Sequence, residues 1–132
     1  MNAVKYRALA KDGTWRYGSY PCTNVDMGNT KYPMDIFWNN FLIAFRRETL
    51  GQWTGLLDKQ GKEIYGGDIV RVTYDLHEPE FIGEVVLVNG AWRAQRDKND
   101  YYDRKTLMED FGIVMTVIGN KWEHNLDGTL KT

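Results

Sequence analysis

Few side chains in this 132-residue chain are equipped for chemistry, and they are scattered. Ser19 is the only serine and Cys22 the only cysteine, and the two histidines are His77 and His124. A serine nucleophile needs a sharp turn that presents its hydroxyl beside a base, whereas Ser19 lies next to aromatic-rich strand sequence with no such motif. Nothing local pairs Cys22 with His77 or His124 as nucleophile and base. One cysteine also rules out an intrachain disulfide and a zinc site built from several thiolates of one chain. His77-Glu78 and Glu123-His124 each offer two metal ligands, but both pairs sit in polar segments where solvated side chains are the simpler reading. Gly61-Lys62-Glu63 has neither the length nor the hydroxyl of a phosphate-cradling loop and reads as a turn. Asp97, Asp100 and Asp103 form carboxylate pairs in a charged loop, and general-acid work needs burial in a cleft that a sequence does not reveal. The expectation is a protein without catalytic residues, cofactor or metal, and not an enzyme.

Binding residues are the remaining resource. Aromatics make up 14% of the chain, and most of them must fill the core of a small β domain. Trp38, Tyr101 and Tyr102 fall instead in polar segments, and exposed aromatics near arginine serve both protein interfaces and platforms for single-stranded nucleic acid. The alternative is that they close the ends of a barrel. Arg46, Arg47, Arg93 and Arg96 form the candidate nucleic-acid surface. Net charge is -1, with +3 on residues 1–67 and -4 on residues 68–132, so a concentrated basic surplus for phosphate is lacking overall.

The elements that must position these residues read as strands. Residues 4–10 alternate apolar and polar, Asp12-Gly13 supplies a turn, and residues 14–20 carry aromatics two apart, predicting a hairpin. Residues 21–40 are loop-like, with a short strand candidate at 31–38. Further strands are expected at 41–47, 49–55 and 69–74, with residues 63–68 leading into the last, where Val70, Val72 and Tyr74 share a face and Arg71 and Thr73 the other, the period of a half-buried strand. Asn89-Gly90 joins 81–88 to 91–96 as a two-residue hairpin, because both residues tolerate the left-handed backbone. Thr106-Leu107-Met108-Glu109 fits a capping box and Gly112 a helix end, predicting one short C-terminal helix. Residues 113–118 form a last buried strand, and the polar tail from Glu123 is expected to fray. A meander of short strands argues for an antiparallel barrel or sandwich, all-β (mainly β), and against strand-helix alternation. No apolar run is long enough to span a bilayer and the N-terminus is not that of a secretory signal, so a cytoplasmic protein is expected.

The stretch from Thr49 to Val70 resembles the signature of the YopX family of phage and prophage proteins. The match comprises Gly51-Gln52-Trp53-Thr54-Gly55-Leu56, the turn Asp58-Lys59-Gln60-Gly61-Lys62 and the strand entry Ile64-Tyr65-Gly66-Gly67-Asp68-Ile69-Val70. Lys5-Tyr6-Arg7-Ala8 and Val117-Ile118-Gly119-Asn120-Lys121-Trp122-Glu123 resemble its opening and closing strands, with Leu9 and Gly66 as local departures. The resemblance implies a single domain over residues 1–132, with an N-terminal β-meander over 1–56 and a small SH3-like barrel over 57–124. It implies a phage or prophage origin and supplies no activity. Read physically, the glycines of the signature serve turns and Trp53, Leu56, Ile64, Tyr65, Ile69 and Val70 serve the core, with Gln52, Thr54 and Asp68 as the alternative ligand-facing set. The combined expectation is a phage accessory protein that binds a protein partner or itself as a homo-oligomer. A nucleic-acid-binding module is the alternative.

Overall fold

The computed structural model describes residues 5–18, 20–22, 34–38, 42–73, 80–96, 104–107 and 113–131, with backbone alone for 20–22, 34–38 and 42–44. The chain divides into two compact units, Met1–Trp53 and Thr54–Thr132.

In the first unit, β1 (Tyr6–Leu9) and β2 (Trp15–Gly18) form the expected hairpin, with Leu9 opposite Trp15 and Tyr6 opposite Gly18. The turn is set by Asp12, whose carboxylate accepts the backbone N–H of Thr14 at 3.0 Å and its hydroxyl at 2.6 Å, while Gly13 takes φ +85°. Thr14's hydroxyl and then its backbone N–H hold the Asp12 carboxyl below its usual range. A second antiparallel meander comes next, β3 (Tyr20–Cys22), β4 (Met34–Trp38) and β5 (Leu42–Arg46). A single 3-10 turn, Arg47–Thr49, leads out of β5. Thr49, buried, donates its hydroxyl to the Arg46 carbonyl and accepts the Leu9 N–H, tying β1 to this turn. Ala8 and Phe45, fully buried, make the core with Tyr6 and Leu50 against them.

Strand β6 (Gly51–Leu57) begins in the first unit, where Gly51 and Gln52 pair with Arg7 and Tyr6, and continues into the second beside β7 (Glu63–Tyr65). The second unit is then an antiparallel sheet of β8 (Asp68–Thr73), β9 (Phe81–Val88), β10 (Ala91–Gln95), β11 (Arg104–Thr106) and β12 (Val114–Asn120), in the order β11-β10-β9-β8-β12. The chain meanders through four strands and the fifth returns to pair with the first. The first half of β9, Phe81 to Glu84, pairs with β8, and the second half, Glu84 to Val88, pairs with β10. Among the described strands no sheet closes on itself.

The turn between β9 and β10 is Asn89-Gly90, both left-handed at φ 52° and 79°, as the dipeptide predicts. Asp68, Val70 and Val72 are buried on one face of β8, and on the other Ile69 is buried while Arg71 and Thr73 are half-exposed, the alternation expected of a half-buried strand with an added buried residue at its start. Val70, Val72, Ile64, Phe81, Val85 and Met115 centre the core. Each such side chain contributes about 1.5–3 kcal/mol on burial. The expected helix after Thr106 falls on residues 108–112, outside the described residues; Thr106 itself ends β11 and accepts Arg93 Nη1 at 3.1 Å.

The tail corrects the expectation of fraying. His124 and Leu130 are bridged, Lys131 N–H donates to the Glu123 carbonyl at 2.8 Å, and Asn125 N–H donates to the Thr129 carbonyl at 2.8 Å. Its turn repeats the chemistry of the first hairpin: Asp127 accepts the N–H and hydroxyl of Thr129 at 2.9 and 2.6 Å, with Gly128 at φ +86°. Among the described residues no helix is long and apolar enough to cross a membrane.

Candidate functional site

Strand β12 ends on Asn120, and that residue organises the turn beyond it. Its side-chain oxygen accepts the N–H groups of Trp122 and Glu123 at 3.1 and 3.0 Å, and its amide nitrogen donates to Glu123 Oε1 at 2.8 Å. Its backbone N–H donates to His124 Nδ1 at 3.1 Å, and its carbonyl accepts the His124 N–H at 2.8 Å. A buried asparagine with every polar group engaged fixes a tight turn around two half-buried side chains. Those are Lys121 and Trp122. Gly119 makes the return possible: a Cβ there would lie 2.5 Å from the His124 ring.

The same turn is pinned to the signature segment. Lys121 N–H donates to the Gly67 carbonyl at 2.8 Å, and Gly67 N–H donates to the Val85 carbonyl at 2.9 Å. Gly67 is left-handed at φ +89°, and a Cβ there would stand 2.4 Å from the end of the Trp122 ring. The indole therefore lies on a surface only glycine leaves free. Gly67→Ala is expected to lower stability by about 1–3 kcal/mol, combining a positive φ with a displaced indole. Urea unfolding measures it, and an unchanged midpoint would mean that the ring is not held there.

Beside Trp122 opens a cleft of about 440 Å³, entirely within the second unit. Ile69, Glu84 and Val86 line it from β8 and β9, Arg96 from the end of β10, and His124, Leu126 and Lys131 from the tail hairpin. Lys121 Nζ stands 5.0 Å from the Trp122 ring centre and 3.8 Å from Glu84 Oε2. Lys131 Nζ donates to the Lys121 carbonyl at 2.6 Å, and the Arg96 guanidinium stacks 4.8 Å from the Phe81 ring. The cleft thus gathers three cations and one carboxylate around an indole, with the cations already braced by protein contacts. Such an arrangement can hold an anionic group next to an apolar one.

The residues singled out from sequence fare unevenly. Trp38 ends β4, with only its backbone described, and Tyr101 and Tyr102 lie outside the described residues. Arg46 and Arg47 are exposed in the first unit, whereas Arg93 and Arg96 belong to the second, so the four arginines divide between the units. Of these only Arg96 lines the cleft. His124 and Glu123, considered as metal ligands, turn Nδ1 and Oε1 towards Asn120 instead. His77 and Glu78, and Asp97, Asp100 and Asp103, lie outside the described residues. Asp68, in the alternative ligand-facing set, is buried and accepts the Tyr65 N–H at 2.8 Å, a turn-closing role. Sequence reading missed Lys121, Trp122, His124 and Lys131 as a group. The available signal was the second Asp-Gly-Thr run, Asp127-Gly128-Thr129, identical to Asp12-Gly13-Thr14 and equally able to fold a hairpin back.

Compared with known proteins, the chain matches the family model described as YopX protein over residues 5–125. No curated protein and no solved structure matches it.

Proposed function

The chain belongs to the YopX family, and we propose that it serves as a non-enzymatic phage or prophage accessory protein that works by gripping another protein, a partner or a further copy of itself. On this reading it acts in the cytoplasm of the host bacterium. The observation that carries it is the cleft beside Trp122, a concave surface with an aromatic anchor and braced polar groups, the features that recur at protein contact sites. The signature supports the same reading. Gly67, Asp68 and Asp58 are engaged in turns and strand ends rather than directed at a reacting group. We read the second unit as an SH3-like barrel: a four-strand meander whose fifth strand returns to the first, with a β9 shared between two strand pairs, is the topology such a barrel needs. Fold alone names no partner.

A nucleic-acid module is the second reading, favoured by Arg96 beside Trp122 in the cleft. The two separate by salt. Binding to a phosphate polymer releases condensed counterions and weakens steeply with ionic strength, whereas a protein contact that buries apolar area does not. The expected result is no submicromolar binding of a random oligonucleotide near physiological ionic strength. Submicromolar, salt-sensitive binding that fails when Arg46, Arg47, Arg93 and Arg96 are changed to alanine would overturn the protein-binding reading.

A further inference from the structure

Resting on the protein-binding reading, we propose that the cleft takes a short acidic segment of a partner protein, its carboxylates held by Arg96, Lys121 and Lys131 and a neighbouring apolar side chain laid against Trp122 and Leu126.

The sign of the ligand is set by the lining. With His124 neutral, the cleft residues carry a formal charge of +2. They do so inside a unit whose sequence, residues 54–132, holds ten basic and fourteen acidic residues and is therefore at -4. The cleft is a positive spot on a negative body. Screening confines each charge to about 8 Å at physiological ionic strength. A short segment that fits the cleft therefore meets mainly its cations, while a long polyanion must also run over the acidic surroundings. This contrast favours a peptide over a nucleic acid.

Geometry supplies the rest. Lys121 is placed by Glu84 at 3.8 Å and by the Trp122 ring at 5.0 Å, and Lys131 by the Lys121 carbonyl at 2.6 Å. Cations already held in position lose little freedom on binding, so their contacts count more. Leu126 is 42% exposed and lines the cleft together with Trp122, Ile69 and Val86. A ligand of charge alone would leave that apolar wall wet. The volume, about 440 Å³, suits a few side chains rather than a folded surface.

The test is a titration of the full chain, monitored by backbone amide NMR shifts, with three ligands: a capped acidic peptide bearing two glutamates around a leucine, its glutamine counterpart, and a short thymidine oligonucleotide. The acidic peptide is expected to shift residues 119–131 and 95–96, and to bind about tenfold more tightly than the glutamine peptide. Lys131→Ala, at an exposed site, should weaken it at least about threefold without altering the unfolding midpoint, and Leu126→Ser should weaken both peptides. Equal affinity for the two peptides would overturn the acidic-segment inference and leave the protein-binding reading standing. Preference for the oligonucleotide would overturn both. Shifts from none of the three, or shifts away from the cleft, would overturn the inference.

Discussion

Changing Asp58 to alanine is expected to lower stability by about 2–4 kcal/mol, although the residue sits in a turn that sequence reading treats as a connection. Its carboxylate is buried and accepts three backbone N–H groups: Gln60 and Lys62 at 2.9 Å on Oδ1, and Val117 at 3.1 Å on Oδ2. Hydrogen bonds to a charged acceptor contribute about 1.5–3 kcal/mol each when intact, and deletion leaves buried donors unmet. Lys59 N–H adds a bond to the Met115 carbonyl at 2.9 Å, so the 58–62 turn occupies the side of end strand β12 away from β8. An open strand edge is a template for pairing with another chain, and this one is covered. Asp58→Asn should not rescue, because the amide that replaces Oδ2 presents a donor to the Val117 N–H.

The same carboxylate sets an acid sensitivity. Burial alone would raise its pKa, but the N–H groups of Val117, Lys62 and Gln60, with the charge of Lys62, together outweigh burial and lower it. A depressed folded-state pKa means that the stabilisation is fully present above the unfolded value, near 3.9, and is lost as pH falls through the lower folded value. The gap between the natural chain and Asp58→Ala should therefore stay constant from neutral pH to about pH 5 and narrow below the unfolded value. Denaturant midpoints across that range measure it. A gap that persists unchanged under strong acid would show that Asp58 acts without its charge.

Gly83→Ala is expected to cost about 2–3 kcal/mol for a different reason. A Cβ at Gly83 would lie 2.9 Å from the backbone C and N of Gln95 and 3.0 Å from its O. Backbone in a paired strand does not swing aside as a side-chain end does, so the added methyl must push β9 and β10 apart. The position is where β9 passes from pairing with β8 to pairing with β10. Gly13→Ala is the control. Gly13 is left-handed at φ +85° with nothing within 4 Å of its missing Cβ, and should cost only about 1 kcal/mol. Equal losses at the two sites would contradict close approach as the reason for Gly83.

Local chemistry was the legible part of the sequence. Asp12-Gly13 and Asn89-Gly90 declare their turns because the requirement, a left-handed backbone, is met by the residues themselves. Gly67 was legible for the same reason, though not the indole that covers it. Long-range reach was not legible: nothing beside Asp58 in sequence marks Val117 as its partner, 59 residues away. Gly83, inside an apolar strand pattern, carries no local sign of the strand it touches. The cleft is assembled from four separated stretches around Ile69, Glu84, Arg96 and Trp122, plus a tail whose polarity resembles fraying. Polarity there reflects a hairpin held by Asp127, and composition does not distinguish the two.

The central claim, that protein is gripped at the cleft beside Trp122, is tested most directly by site-specific photocrosslinking. A photoreactive residue is placed at Leu126, 42% exposed on the cleft wall, and in a second sample at Tyr17, 48% exposed on β2 of the first unit. Both are illuminated in extract of the bacterial host with and without nuclease. The expected result is a discrete, nuclease-resistant protein adduct at Leu126 that Lys131→Ala diminishes and Tyr17 does not give. Adducts of equal yield and pattern at both positions, or an adduct at Leu126 that nuclease removes, would contradict it.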